Sequence, residues 1–344
     1  MRAVIIHAPR DLRVEPYEIC DPGPRQVKVR VGAGGICGSD LHYYQHGGFG
    51  TVRIREPMVL GHEVAGTVVA AGSAVTGIKP GDRIAINPSN PCLSCKFCRE
   101  GAHHHCLDMR FYGSAMRFPH VQGAFREEIV IEEHQAFPVG DISLGEAAFA
   151  EPLSVCLHAV NRAGSLLGKR VLVTGCGPIG CLTILAARHA GAGEIVATDI
   201  AAATLAKARQ VGADRALDAG DRDALSTYAA DKGYFDVAFE CSGNAQALNT
   251  ALQAVRAGGT IVQIGLAGGE IPIPINMAVA KEILLKGTFR FDAEFGFAVA
   301  LLSRRAVDVS PLLTATLPLE RAVEAFELAA DRSRAMKVQL SFAG

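Results

Sequence analysis

The 344-residue sequence carries no excess charge of either sign. It has 34 lysine and arginine residues against 35 aspartate and glutamate residues, so its formal net charge is −1. Proteins that bind nucleic acid or anionic membranes by electrostatic attraction need concentrated positive charge, which this composition does not supply. We therefore expect no nucleic acid and no membrane as a partner.

Long apolar runs are also lacking. The longest stretch without a charged residue, 171–187, is interrupted by "GCGPIG", and such a glycine and proline cluster is typical of a strand–turn–helix junction rather than a membrane span. The opening "MRAVIIHAPRDLRVEP" has early charges and is typical of a strand, not of a signal peptide. No repeat, low-complexity tract or coiled-coil heptad is visible. These features predict a soluble, cytoplasmic protein.

Four of the ten cysteines are grouped in one short segment. In a cytoplasmic protein, cysteines are expected to be reduced thiols or metal ligands. The segment "NPCLSCKFCREGAHHHC" has the spacing C-x2-C-x2-C-x7-C, which matches a tetrahedral structural zinc site, with an iron–sulfur cluster as the alternative. The expected ligands, in a lobe at about 90–107, are Cys92, Cys95, Cys98 and Cys106. The intervening His103, His104 and His105 are expected to be solvated, because four sulfurs fill the coordination shell.

The pattern of apolar residues divides the chain into two halves. Residues 1 to about 140 contain short strand-like runs such as "RQVKVRVGAGGI" between turn residues. From about Gly168 onward, strand-like runs such as "KRVLVTG" alternate with helical stretches such as "PIGCLTILAARHAGA". This alternation predicts β-α-β units and a parallel sheet with helices on both faces, which is the α/β class. The tail beyond about Arg290 contains helix-like and strand-like stretches and fits either half.

A glycine-rich motif follows the first strand of the second half. "VLVTGCGPIG" has the G-x-G-x-x-G pattern between a strand and a helix, which suits a dinucleotide pyrophosphate at the helix N-terminus. An acid at the end of the next strand can bind the adenosine ribose hydroxyls and repels a 2′-phosphate, so NAD is favoured over NADP. The alternative is a glycine-rich turn that binds nothing. The expected cofactor contacts are Gly175, Gly177, Pro178, Ile179, Gly180 and Asp199.

Two segments of the first half carry residues suited to a catalytic metal. "GICGSDLHYY" contains Cys37, and "VLGHEVAG" contains His62 beside Glu63. A thiolate, an imidazole and a carboxylate, either Glu63 or Glu151, would form an open zinc site with one position left for water or substrate. Taken singly, each residue has an ordinary alternative as a buried thiol, a hydrogen-bonding histidine, a surface charge or a helix cap.

Two further residues lie close to Cys37 in the sequence. The Ser39 hydroxyl could accept the proton of a substrate hydroxyl polarised by zinc. His42 could pass that proton outward, because an unperturbed histidine titrates near neutrality. Together with the dinucleotide motif, these residues predict hydride transfer between an alcohol and a nicotinamide.

With these motifs in place, the sequence resembles the zinc-dependent medium-chain alcohol and polyol dehydrogenases. The resemblance runs end to end and rests on "GICGSDLH", "GHEVAGTV", "IKPGDRI", the four-cysteine lobe, "AEPLSVCLHA" and "VLVTGCGPIG". It implies a GroES-like, β-rich catalytic domain interrupted by a Rossmann domain that binds NAD. The implied bounds are 1–145 and 290–344 for the catalytic domain and 146–289 for the Rossmann domain.

The resemblance also implies roles for the metal group. Cys37 and His62 are implied as ligands of a catalytic zinc, with the serine and histidine of "GSDLH" as the proton relay. Glu151 occupies a position where many alcohol dehydrogenases have a second cysteine. This makes the chain similar to the sorbitol dehydrogenase branch, where the glutamate of "GHE", here Glu63, can ligate zinc. Which glutamate binds zinc and which holds a water stays open, and two zinc ions per chain are implied.

Three segments bear on the substrate. Within that branch, "HYYQHGG", "MRFYGSAMRFPHVQGAF" and "GTFRF" are most similar to members that oxidise the sugar acid L-idonate to 5-ketogluconate. In the branch, residues matching Tyr43 and Arg290 line the polyol pocket. A sugar acid needs a cation for its carboxylate, and an arginine fork binds one bidentately. Arg290 is the first candidate, and Arg110, Arg117 and His120 are second candidates whose alternative is a solvated loop position.

Two other functions compete with this one. The first is a polyol dehydrogenase that acts on sorbitol or xylitol with the same residues. The second is a zinc- and nucleotide-binding protein without catalysis, which the complete residue set disfavours. The resemblance also implies a homo-oligomer, a dimer or a tetramer, that pairs through an edge strand at "EILLKGTF".

Overall fold

The computed structural model describes residues 1–342, which fall into two compact units. The first unit contains Met1–Glu151, Phe295–Arg305 and the chain from Leu313 onward, and the second contains Pro152–Glu294 and Ala306–Leu312. The resemblance implies domain boundaries at 145/146 and 289/290. The two units divide at 151/152 and 294/295, within or at the start of a helix, and residues 306–312 also belong to the second unit.

Short strands dominate the first part of the chain, and strand–helix alternation begins at Arg170. The strands are β1 (Arg2–Ala8), β2 (Asp11–Pro16), β3 (Gln26–Gly35), β4 (Gly48–Phe49), β5 (Val52–Arg53), β6 (Met58–Val59), β7 (Glu63–Ala71), β8 (Arg83–Ile86), β9 (Ser89–Asn90), β10 (Arg110–Phe111), β11 (Glu128–Glu132), β12 (Ala136–Pro138), β13 (Arg170–Thr174), β14 (Glu194–Asp199), β15 (Arg215–Asp218), β16 (Phe235–Glu240), β17 (Val255–Gln263), β18 (Leu284–Gly287), β19 (Leu313–Pro318) and β20 (Lys337–Ser341). The α-helices are α1 (Gly38–His46), α2 (Lys96–Arg99), α3 (Leu144–Ala147), α4 (Ala150–Ala163), α5 (Pro178–His189), α6 (Ala202–Gln210), α7 (Arg222–Ser226), α8 (Ala245–Ala254), α9 (Ile275–Ala280), α10 (Glu294–Ser303) and α11 (Ala322–Ala330).

The first unit is built around a mixed sheet with the order β12-β8-β7-β3-β20-β19, in which β3 also pairs with β11. Val27, Val29 and Val31 of β3 are fully buried and alternate with more exposed Lys28 and Arg30, as the alternation in "RQVKVRV" predicts. A smaller sheet has the order β2-β1-β6. This β-rich unit carries the grouped cysteines and the cysteine–histidine motifs.

The C-terminal tail returns to the first unit through β20. This strand pairs antiparallel with the end of β3, and Gln339 lies opposite Gly35. Sequence patterning alone does not assign the tail to either half, because strand pairing over such a separation leaves no local signal. The pairing places the beginning of β20 beside the segment that follows β3.

The second unit contains a six-stranded parallel sheet with the order β15-β14-β13-β16-β17-β18. Helices α5, α6 and α8 connect successive strands, which confirms the predicted β-α-β units and the α/β class. Leu172, Phe235 and Leu252 belong to the apolar core formed between this sheet and α8. The order reverses between β13 and β16, so a ligand crevice is expected at the carboxyl ends of these two strands.

Within residues 1–342, no helix combines the length and the apolar character that crossing a bilayer requires.

Candidate functional site

Three potential metal ligands converge in the first unit. Cys37, His62 and Glu63 each offer a ligand atom, and these atoms all lie within 4.8 Å of one another. The strand register explains the convergence. Gly35, at the end of β3, pairs directly with Glu63, at the start of β7, and Cys37 follows as the N-cap of α1. Two motifs that are separate in the sequence therefore meet at one point.

The carboxylate of Glu63 is held by a buried cation. Lys337 Nζ donates to Glu63 Oε1 at 2.8 Å and to Oε2 at 2.7 Å, and also to the carbonyl oxygen of Ile36 at 3.2 Å. Both side chains are almost fully buried. Gly35 leaves the space for this pair, because a Cβ at that position would lie 2.2 Å from Glu63 Oε2. The ion pair therefore fixes the direction in which the carboxylate points.

Asp40 organises the same group from within α1. Its Oδ2 accepts the N–H of Cys37 at 3.0 Å and its Oδ1 accepts the N–H of Gly61 at 3.2 Å. Oδ1 also lies 3.8 Å from His62 Nδ1. Burial raises the pKa of Asp40, and the neighbouring His62 acts in the opposite direction. The carboxylate thus fixes the main chain at both ligand-bearing segments.

This donor set fits a zinc ion. Thiolate, imidazole and carboxylate are the usual zinc ligands, and three protein ligands are typical of a catalytic site. His62 Nδ1 is buried and has no hydrogen-bond partner among residues 1–342, which is unusual for a buried polar atom. Burial first, and then the charge of Glu63, raise the pKa of the Cys37 thiol to about 12. A divalent cation at this point would act in the opposite direction and favour the thiolate.

Glu151 is close to this group without belonging to it. It lies in the first turn of α4 and is buried, but it is not part of the three-residue set whose ligand atoms lie within 4.8 Å of one another. Burial raises its pKa to about 8, with the charges of Glu63 and Cys37 acting in the same direction. Without a bound cation, burial therefore favours the neutral acid, which can donate a hydrogen bond.

Ser39 and His42 lie three residues apart on α1, which puts them on one face of the helix. Ser39 is half-buried, whereas His42 is exposed. Partial burial, followed by the charges of His46 and Arg332, lowers the pKa of His42. Ser39 therefore lies near the start of α1, close in sequence to Cys37, and His42 lies further along the helix in contact with solvent.

The expected substrate residues have different environments. Tyr43 is buried and its hydroxyl accepts the N–H of Ala115 at 3.0 Å. His120 Nε2 accepts the N–H of Arg55 at 2.8 Å. Its Nδ1 lies 2.7 Å from the carbonyl oxygen of Arg117, so the ring has main-chain partners on both sides. These contacts hold both side chains against the main chain of neighbouring loops.

The arginine candidates also differ from one another. Arg110 is exposed on β10, and Arg117 forms an ion pair with Asp108. Arg290 lies in the second unit in a left-handed backbone conformation (φ 54°), and its guanidinium lies 4.9 Å from the ring centroid of Phe289. Of the three arginines, only Arg290 has a positive φ, which is uncommon for a residue other than glycine.

The four predicted structural ligands form one cluster. The sulfurs of Cys92, Cys95, Cys98 and Cys106 lie within 4.8 Å of one another. Main-chain N–H groups point at them, with Cys95 N 3.3 Å from Cys92 Sγ and Cys92 N 3.2 Å from Cys106 Sγ. Hydrogen bonds from the N–H and hydroxyl of Ser94, followed by the N–H of Cys95, lower the pKa of Cys92 to about 6. Four converging sulfurs that accept N–H donors fit a tetrahedral zinc ion. The three intervening histidines form a short 3-10 helix, His103–His105, outside this cluster.

The glycine motif adopts the predicted strand–turn–helix form. Gly175 follows β13 in a left-handed conformation (φ 85°), and α5 begins at Pro178 with Gly177 as its N-cap. A Cβ at Gly180 would lie 1.8 Å from the carbonyl oxygen of Gly175, so only glycine permits this close packing. Gly177, Pro178 and Ile179 are partly exposed, which leaves the start of α5 accessible to a phosphate.

Asp199 closes the same turn from the neighbouring strand. It ends β14, and its Oδ2 accepts the N–H of Cys176 at 2.6 Å while its Oδ1 accepts the N–H of Ala201 at 3.0 Å. The carboxylate is only partly buried. It therefore combines a structural role in the turn with the position expected for a ribose-binding acid.

Sequence reasoning missed two residues of the metal group. Asp40 had a signal, because it lies in "GSDLH" between Ser39 and His42. Lys337 had none, because only the long-range pairing of β20 with β3 brings it to Glu63.

Comparisons with known families agree with this arrangement. Residues 23–141 match the family described as "Alcohol dehydrogenase GroES-like domain", and residues 178–304 match the family described as "Zinc-binding dehydrogenase". The two matches correspond to the β-rich half with the metal group and to the half with the parallel sheet.

Individual proteins are similar over almost the whole chain. L-Idonate 5-dehydrogenase (NAD(P)(+)) from Escherichia coli is 45% identical over 91% of this chain and 91% of its own length. Sorbitol dehydrogenase from Bos taurus is 38% identical over 94% and 92%. The crystal structure of L-idonate 5-dehydrogenase from Escherichia coli superposes with a TM-score of 0.95 at 42% identity, over 99% of this chain and 97% of the other.

Proposed function

Because the chain belongs to the zinc-binding alcohol dehydrogenase family, we propose that it oxidises L-idonate at its 5-hydroxyl to 5-ketogluconate with NAD, or catalyses the reverse reduction. The observation that carries this substrate is the 45% identity to an L-idonate 5-dehydrogenase over 91% of the chain. The 38% identity to a sorbitol dehydrogenase supports a polyol such as sorbitol or xylitol as the second candidate.

The metal group is the centre of the proposed reaction. Cys37, His62 and Glu63 would hold the catalytic zinc. Bound zinc supplies Lewis-acid polarisation of the substrate hydroxyl, and bound NAD supplies the hydride acceptor. Glu151, buried beside these ligands, would hold a water or a substrate oxygen through a hydrogen bond. The second unit, with its parallel sheet and glycine turn, is the nucleotide-binding domain.

Ser39 and His42 carry the proton. The Ser39 hydroxyl accepts the proton that the substrate hydroxyl loses while it passes its own proton on, and His42 takes up that proton and releases one to solvent from the exposed face of α1. The lowered pKa of His42 suits this step, because the neutral ring is available as a proton acceptor at neutral pH. Asp40 and Lys337 act on the ligands rather than on the substrate, since their contacts are with the segments or side chains that bear them.

The grouped cysteines and Asp199 complete the cofactor assignment. Cys92, Cys95, Cys98 and Cys106 would hold a second, structural zinc, because four thiolates leave no open position. Asp199 favours NAD, since its carboxylate would repel the 2′-phosphate of NADP. NADP remains usable, and the name of the Escherichia coli relative includes both nucleotides.

A second copy of the chain is the proposed partner. β18 is the last strand of the parallel sheet, and Leu284 and Leu285 on it are 54% and 41% exposed. An exposed apolar edge strand is suited to pair with the same strand of another protomer. Light scattering of the wild type should give the molar mass of a dimer or tetramer. Leu285→Asp should reduce the number of subunits in the assembly. The proposed location is the cytoplasm, because none of the ten cysteines, all of which lie within residues 1–342, forms a disulfide.

A substrate panel tests the proposed activity. The zinc-loaded protein is assayed with L-idonate, gluconate, sorbitol, xylitol and threonine, each with NAD and with NADP. We expect the highest kcat/KM for L-idonate with NAD. A kcat/KM for sorbitol about tenfold or more above that for L-idonate would replace the first candidate by the second.

A further inference from the structure

Glu240 is a fully buried carboxylate at the carboxyl end of β16. Its Oε2 accepts the N–H of Gly243 at 2.9 Å and a hydrogen bond from Gln263 Nε2. Its Oε1 accepts the N–H of Ser242 at 2.8 Å, the hydroxyl of Ser242 and, at 3.5 Å, the hydroxyl of Thr174. Every one of these partners is a neutral donor.

Glu240 has no ion-pair partner in the described part of the chain. Among residues 1–342, no lysine, arginine or histidine nitrogen lies within 4.0 Å of Glu240 as an ion-pair partner, in contrast to the buried Glu63. Neutral donors satisfy the oxygens as hydrogen-bond acceptors but leave the net negative charge in place. A buried charge that only neutral groups surround exerts its field on whatever binds nearby.

The position of Glu240 in the sheet identifies what binds nearby. A dinucleotide lies across the point where the strand order reverses, here between β13 and β16. The glycine turn after β13 and Asp199 at the end of β14 are expected to bind the adenosine half and the pyrophosphate. The nicotinamide half is therefore expected beyond the carboxyl ends of β16 and β17, and these are the ends that Glu240 joins through Ser242, Gly243 and Gln263.

The loop that Glu240 holds also touches the glycine turn. A Cβ at Gly175 would lie 2.8 Å from Ser242 Cβ, so Ser242 packs directly against the turn expected to approach the pyrophosphate. The Thr174 hydroxyl connects Glu240 to the end of β13 as well. The carboxylate thus anchors three adjacent strand ends under the expected cofactor.

From this arrangement we propose that Glu240 is a positioning residue for the nicotinamide half and that its charge favours the oxidised nucleotide. The nicotinamide ring is a cation in NAD+ and neutral in NADH, so a buried negative charge beneath it stabilises NAD+ selectively. This inference rests on the proposed function, because it requires the second unit to bind NAD. A purely structural role for Glu240 would instead affect both forms equally.

The test is the ratio of two dissociation constants, Kd(NAD+)/Kd(NADH), measured by fluorescence titration on the full zinc-loaded protein. Glu240→Gln removes the charge and nearly preserves the shape. We expect the ratio to rise by roughly threefold to thirtyfold, mainly through weaker NAD+ binding. Glu240→Asp keeps the charge, so its ratio should stay near that of the wild type even where both constants increase.

A second variant covers the case in which Glu240→Gln does not fold. Gln263→Lys retains the carboxylate and its bonds to Ser242 and Gly243 but puts an ammonium group beside it. The ratio Kd(NAD+)/Kd(NADH) should therefore rise, as it should in Glu240→Gln. Asp236→Asn is the matched control. It removes a carboxylate from the opposite end of β16, where Asp236 pairs with Arg170 and Arg256, and should leave the ratio unchanged.

Two outcomes would overturn the inference. The first is an unchanged ratio Kd(NAD+)/Kd(NADH) in the folded Glu240→Gln and Gln263→Lys variants, whether or not both dissociation constants increase together. That result would leave Glu240 with a structural role only. A wild-type protein that bound neither nucleotide would instead overturn the proposed function itself, and the inference with it.

Discussion

The ammonium group of Lys337 lies 2.7 and 2.8 Å from the two carboxylate oxygens of Glu63, although the residues are 274 positions apart in the chain. Both partners are almost fully buried. Breaking a buried pair by removing one partner is costly, because the other charge remains in a low-dielectric environment. Glu63 therefore depends on Lys337 whenever no metal ion compensates its charge.

Replacement of Lys337 by methionine tests this dependence. We expect Lys337→Met to lower the free energy of unfolding of the metal-free protein by about 3–5 kcal/mol, since a buried carboxylate loses its cation. Zinc at Cys37, His62 and Glu63 would restore part of that loss by compensating the same carboxylate. The measurement is urea unfolding with and without zinc, and Lys337→Arg is the control that keeps the cation. If Lys337→Met lowered the free energy of unfolding equally with and without zinc, the result would contradict a link between Lys337 and the metal ligands.

Replacement of Cys37 by serine tests the metal assignment. We expect Cys37→Ser to abolish turnover, because the open zinc site loses its thiolate ligand. NAD binding should change less than about twofold, because the glycine turn and Asp199 lie in the other unit. Metal analysis should fall from two zinc ions per chain to one. The control is Cys20→Ser, at an exposed free cysteine. Turnover that persisted in Cys37→Ser would remove Cys37 from the ligand set.

Replacement of Asp199 by asparagine separates its two roles. The amide oxygen can still accept the N–H of Cys176, whereas the charge that repels a 2′-phosphate is lost. We expect NAD to bind about tenfold more weakly, through loss of charge-assisted bonds to the ribose, and the preference for NAD over NADP to narrow. The ratio of kcat/KM for the two nucleotides is the measurement. A ratio equal to that of the wild type would show that another group discriminates between the nucleotides.

Residues that act through local patterns could be predicted from the sequence. The strand–turn–helix form around Gly175 follows from glycines at fixed spacing between an apolar run and a helical run, and the four-cysteine cluster follows from its spacing. The structure also brings Cys37, His62 and Glu63 together. Their motifs end and begin two adjacent strands, β3 and β7, which pair directly.

Residues that act through distant pairing could not be predicted in this way. Lys337 reaches Glu63 only because β20 adds to β3, and Glu240 is an ordinary strand residue until the ends of β13, β16 and β17 are aligned. His120 also depends on its surroundings. The partners of its ring are main-chain groups of Arg55 and Arg117, and residue type alone cannot predict such partners.

The acid sensitivity of the second unit should depend on Glu294. Burial would raise the pKa of this carboxyl group, but hydrogen bonds from His158, the N–H of Asp292 and Asn161 outweigh it and lower the pKa from 4.5 to about 2. A lowered pKa means that the ionised group stabilises the folded state above pH 4.5 and that this contribution is lost as the pH falls towards 2.

Replacement of Glu294 by glutamine removes this contribution. We therefore expect Glu294→Gln to be less stable than the wild type at pH 6, and the difference to shrink as the pH falls from about 5 to 3, because only the wild type has a carboxylate to protonate. Urea unfolding at several pH values measures the difference. Glu270→Gln is the control, since Glu270 is exposed in the same unit. A difference that stayed constant between pH 6 and pH 3 would mean that the His158–Asn161–Glu294 contacts do not depend on the charge of Glu294.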